Sequence, residues 1–159
     1  MKAQIAGQIF IYILAIIVVG IIILIGYRYI GKLTALKCDA EISTFGKQIN
    51  DAVEQYDAYG SLGNIELAVP CKYQEVCFVD AAAVESGNSA GIDNGFIKQS
   101  VESKIQMNVF LLGDNLKPVS YNAHIIVPET MVCIDADGKQ FFLELKGLNG
   151  KTSLNNSAE

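Results

Sequence analysis

The chain has 159 residues, a formal charge of −5 and a mean hydropathy of +0.31, too high for an ordinary acidic globular domain. One segment is the cause: residues 3–27 carry no charge, and 19 of the 23 residues 5–27 are apolar. All 17 acidic residues lie after position 32, against nine basic ones, so the remainder carries −8; this argues against nucleic acid as a partner, and one histidine with no tryptophan leaves little for a His-based metal or catalytic site.

Taken in chain order, the apolar run comes first. As a helix at about 1.5 Å per residue it spans about 35 Å, enough to cross a bilayer core of about 30 Å with some tilt. Gly20 and Gly26 are tolerable there because lipid offers the backbone no partner other than itself. A cleaved secretory signal fits poorly. The run is too long, and after Gly26 come Tyr27, Arg28 and Tyr29 in place of a small-residue cleavage site.

Helical spacing continues past the run. Ile30, Leu33, Leu36, Ile42, Phe45, Ile49, Val53 and Tyr56 recur mostly at steps of three and four, and no proline precedes Pro70. Asp39, Glu41, Lys47, Asp51, Glu54 and Asp57 take the other face, and Tyr59-Gly60-Ser61-Leu62-Gly63 supplies a stop. The spacing predicts one helix to about residue 58: transmembrane over 4–29 and amphipathic over 30–58.

Beyond it the pattern is β-like. Strands are predicted over 65–69, 75–79, 107–112, 119–127, 131–134 and 140–145. Residues 81–95 read as a small, polar surface loop, and 96–104 have helical spacing. The segment Asp135-Ala136-Asp137-Gly138-Lys139 signals a hairpin turn; its resemblance to the start of a calcium loop lacks a third ligand before the glycine and the glutamate at the twelfth position. Asn149-Gly150 is read as the end of a β-rich domain over 59–150, with 151–159 a flexible tail. The predicted fold class is α+β, a long N-terminal helix packed in its second half on an antiparallel sheet.

The chemistry-bearing residues are few. Cys38, Cys71, Cys77 and Cys133 have the wrong spacing for a zinc knuckle and contain no Cys-x-x-Cys, so disulfides are expected rather than a metal. Geometry favours one pairing. Twenty-one residues of helix from Cys38 to Tyr59 cover about 31 Å, and eight residues of returning strand from Gly63 to Cys71 cover about 26 Å. Cys38 and Cys71 then arrive at one level, leaving Cys77 for Cys133. The rival pairs Cys71 with Cys77 and Cys38 with Cys133. Asn155-Asn156-Ser157 is an N-glycosylation sequon. His124 sits in an apolar stretch as an ordinary satisfied side chain, and no serine lies in a catalytic context. No enzyme activity, cofactor or metal is expected.

The first residues carry a family resemblance. Met1-Lys2-Ala3-Gln4-Ile5, directly before the apolar run, resembles the class III signal of archaeal type IV pilins and archaellins. The resemblance implies a leader of residues 1–3, with Lys2 the basic residue, Ala3 before the cut and Gln4 the new N-terminus, cut by a membrane prepilin peptidase on the cytoplasmic side. Gln8 then stands fifth, where bacterial relatives carry a glutamate. A long helix on a sheet is also the pilin architecture. The runs at 7–16, 76–80 and 108–112 further resemble single-pass membrane proteins of small-genome archaea. The implied function is a pilin-like or pseudopilin-like surface subunit, whose partners are membrane lipid, the peptidase and copies of itself or other pilins through the helix. The alternative is a monomeric membrane-anchored binding or accessory domain. Arg28, Lys32 and Lys37 by the positive-inside rule favour a cytoplasmic domain, whereas the four cysteines and the resemblance favour an extracytoplasmic one, which is the expectation taken.

Overall fold

A computed structural model of the chain describes the backbone of residues 3–136 and 140–156, with side chains from Phe10 onward. It is an α+β protein. Its elements are α1 (Ala3–Gln55), β1 (Leu62–Ala68), β2 (Glu75–Val79), α2 (Ala81–Ser86), α3 (Gly95–Glu102), β3 (Val109–Leu112), β4 (Lys117–Ser120), β5 (Ile125–Ile126), β6 (Met131–Asp135), β7 (Gln140–Gly147) and β8 (Thr152–Asn156). The chain divides into two units, Met1–Asp39 and Ala40–Glu159.

In the first unit, α1 is 53 residues without a proline, counting the part that continues into the second unit. From Phe10 to Lys37 its side chains are exposed, and the large apolar ones are mostly more than half so. Ile30, Leu33 and Leu36 belong to this exposed stretch, at 65%, 61% and 65%. Along α1, burial begins at Ile42.

In the second unit the remainder of α1 buries Ile42, Phe45, Ile49 and Val53 and exposes Asp51 and Glu54, as the spacing predicts. Each of these four side chains is worth roughly 1.5–3 kcal/mol of burial before the entropy of ordering it is counted. Just past the end of α1, Ser61 fastens the turn, its Oγ donating to Tyr56 O and Ala58 O at 2.7 Å. Gly60, at φ +81°, makes the reversal. A Cβ on Gly147 would strike the carbonyls of Ala58 and Tyr56 and the hydroxyl of Ser61, so only glycine lets β7 end against this corner.

Two four-stranded sheets follow. One has the order β1-β7-β8-β5, antiparallel except for the parallel pair β5–β8, and the other the order β4-β3-β2-β6, antiparallel throughout. The strand β2 is central, and Val76, Cys77, Phe78 and Val79 are all buried because both faces are covered. On one face Cys77, Val79 and Phe110 pack with Ala83, Val84, Ile92, Ile97 and Val101 from α2, α3 and the segment joining them. On the other, the Phe78 ring lies 6.4 Å from Phe141, which lies 5.9 Å from Phe45 of α1. The aromatic chain thus links the helix to both sheets.

Several expectations fail here for physical reasons. The segment read as a loop over 81–95 begins with α2, because Asp80 Oδ1 caps the N–H groups of Ala82 and Ala83, and Gly87 closes the other end in the left-handed conformation. The strand expected over 119–127 is broken into β4 and β5 by a turn around Asn122. Strands β6 and β7 do not pair with each other: they lie in different sheets, so the expected hairpin between them is absent, and residues 137–139 are outside the described set. Asn149-Gly150 does not end the fold. Both residues have positive φ (60° and 82°), and Leu148 N donates to Lys151 O. This is the two-residue hairpin turn that Asn-Gly favours. It delivers β8, with Thr152 and Leu154 at 0% exposure, where a flexible tail over 151–159 was expected.

Candidate functional site

The most unusual feature is the apolar stretch of α1. It is the one helix among the described residues long and apolar enough to cross a membrane; its most apolar window has a mean hydropathy of 3.0 and none of it is buried. Water opposes such exposure at about 25 cal/mol per Å² of apolar surface. Ala3, Gln4 and Gln8 lie in the first turns of this helix, and Lys2 lies outside the described residues.

All four cysteines are disulfide-bonded. Cys77 and Cys133 face each other directly across β2 and β6, with Cα atoms 4.0 Å apart, and are joined. This excludes the rival pairing of Cys71 with Cys77. Glu75 sits two residues from Cys77 on the same strand face, and its carboxylate lies within 4.8 Å of both sulfurs. Such a group would suit a metal only if the sulfurs were thiolates; joined to each other, they are not ligands. Glu75 also opposes Asp135 across the strand pair. Partial burial, and then the neighbouring Asp135 charge, push the Glu75 carboxyl above its ordinary value.

Three asparagines form a buried connection that periodicity gives no means of finding. The Asn108 side chain acts as a strand neighbour for Asn122: its Nδ2 donates to Asn122 O at 2.8 Å, and its Oδ1 accepts from Asn122 N at 2.9 Å. Asn122 Nδ2 donates in turn to Asn50 Oδ1 on α1 at 3.3 Å. These bonds satisfy groups that would otherwise cost a few kcal/mol to bury. His124 follows, exposed in the turn rather than in a strand. Its Nδ1–H donates to Gly150 O at 2.6 Å, which assigns the ring a structural role.

The remaining candidates are surface features. An open, shallow groove is lined by Asp80, Ser86, Asn88, Pro128, Glu129 and Thr130 among others. Tyr121 donates to Glu85 Oε1 at 3.0 Å; burial, and then that bond and charge, raise its phenol. Asn155 is exposed on β8 opposite Glu144, and Ser157 of its sequon lies outside the described residues.

Compared with protein-family models, with curated proteins and with solved structures, the chain matches none.

Proposed function

We propose that the chain is a pilin-like or pseudopilin-like surface subunit. Its N-terminal helix anchors it in the membrane with the β-domain on the extracytoplasmic side, and it assembles with copies of itself or other pilins through that helix. The observation that carries this reading is the division of α1. Its side chains from Phe10 to Lys37 are exposed, while Ile42, Phe45, Ile49 and Val53 of the same helix are buried in a disulfide-bonded domain. The exposed part suits lipid before assembly. Ile and Val side chains at that density then pack against like helices as in a protein interior. The leader Met1-Lys2-Ala3 before Gln4 supports processing by a prepilin peptidase. Disulfides favour an oxidising compartment.

Shearing of cells tests the assembly. A filament subunit is released into the sheared fraction as high-mass material, and protease added to intact, wall-stripped cells digests its domain. Complete retention in the membrane as a monomer supports the alternative, a single-pass anchored accessory domain. Full protection from protease contradicts the outward orientation.

A further inference from the structure

We propose that the free edge of β1 is a homotypic interface, at which two copies of the chain pair their β1 strands antiparallel about Ile65. The pairing would join two β1-β7-β8-β5 sheets edge to edge. It does not depend on leader removal or on contacts through α1.

The first observation is an unprotected edge. β1 is seven residues long and pairs with β7 without a break from Leu62 to Ala68, while its other side has no neighbour among the described strands. It holds no proline, no basic residue and no bulge. These are the devices by which sheet edges avoid other chains. Of the other outer strands, β6 shares this lack of protection but is shorter, at five residues, and ends on the charged Asp135. β4 carries Lys117 and Pro118 and a shift in register against β3, and β5 is two residues long.

The second observation is incomplete cover. Gly63, Ile65 and Leu67 face the same side as Leu145, Leu143 and Phe141 of β7. The three β7 residues are buried, but the three on β1 are only half-buried. On the opposite face Leu62 is 65% exposed.

The third observation names the occupant. Read about Ile65, the strand Leu-Gly-Asn-Ile-Glu-Leu-Ala is complementary to itself. Antiparallel pairing sets Leu62 against Ala68 of the second copy, Gly63 against Leu67, Asn64 against Glu66 and Ile65 against Ile65. Around the central isoleucine each leucine meets a small residue, and the only charge meets an amide. Directly opposed residues share a face, so the half-buried row of one copy continues the row of the other. The neighbouring same-face registers are worse. Centring on Glu66 opposes two carboxylates, and centring on Asn64 sets Glu66 against Leu62.

The test is sedimentation of the full chain in detergent micelles over a concentration series. Wild type is expected to show a monomer–dimer equilibrium. Asn64→Glu places two pairs of opposed carboxylates in the dimer and should weaken it about tenfold, whereas Asn64→Lys should tighten it. The double variant N64E/E66N restores an amide opposite each carboxylate and should return the affinity to within about threefold of wild type. It keeps the introduced carboxylate at position 64 opposite Glu144 on β7, so a merely intramolecular effect would not be rescued. Both positions are exposed, and a thermal melt checks the fold of each variant. A wild type that stays monomeric, association through α1 that N64E does not move, or a double variant that fails to recover would each overturn the proposal.

Discussion

The hydroxyl of Thr152 donates to the carbonyl of Val53 at 2.7 Å, across 99 residues of sequence. Val53 is in the last turn of α1, where helical carbonyls have no partner of their own, and both residues are fully buried. Strand β8 therefore satisfies the end of the helix that the fold is built on. Thr152→Val keeps the shape and strands the carbonyl, and should cost about 1–3 kcal/mol in urea denaturation. Ending the chain at Lys151 removes Leu154 as well and should abolish the cooperative transition.

Phe45 fills the space between α1 and the sheets, 2% exposed and in ring contact with Phe141. Phe45→Ala should cost about 3–5 kcal/mol. A loss below about 1 kcal/mol would mean that the second half of α1 does not dock.

Periodicity encodes only part of this fold. Residues 42–53 were legible because four apolar side chains share one face, and 75–79 because a fully buried strand is a short apolar run. The helix α2 was hidden because Ala81, Ala82 and Ala83 look neutral; its signal is the capping Asp80 and the closing Gly87. β8 was hidden because Asn149-Gly150 marks a turn equally well whether a strand or nothing follows, and Thr152-Ser153-Leu154 offers a single apolar residue to the core. The break at Asn122 depends on a side chain of Asn108 fourteen positions away, which no local pattern reports. Of the candidate site, Cys77–Cys133 was legible by chain geometry. The free edge of β1 required knowing the order of strands.

Glu75 should make stability depend on pH in a definite direction. Its carboxyl is raised in the folded state by partial burial and then by Asp135. The folded state therefore binds its proton more tightly than the unfolded state. That contribution is fully present below the unfolded value of about 4.3 and is lost as pH rises through the raised folded value. Glu75→Gln should accordingly stabilise the domain at pH 7 by a few tenths of a kcal/mol. The difference from wild type should vanish below about pH 4. Denaturation curves at both pH values check the sign.

Non-reducing peptide mapping should recover one peptide joining Cys77 to Cys133 and a second joining Cys38 to Cys71. The first closes a loop of 56 residues, worth about 4 kcal/mol by chain entropy. A peptide joining Cys71 to Cys77 would contradict the Cys77–Cys133 bond across β2 and β6.

The central claim is that the chain is handled as a pilin, and the mass of its native N-terminus tests that most directly. Intact-mass and N-terminal peptide analysis of protein from the membrane of a cell with a prepilin peptidase should find Gln4 as the first residue, with Met1-Lys2-Ala3 removed. An intact Met1, or a start at Lys2, in that cell would contradict it and leave a simple membrane-anchored domain.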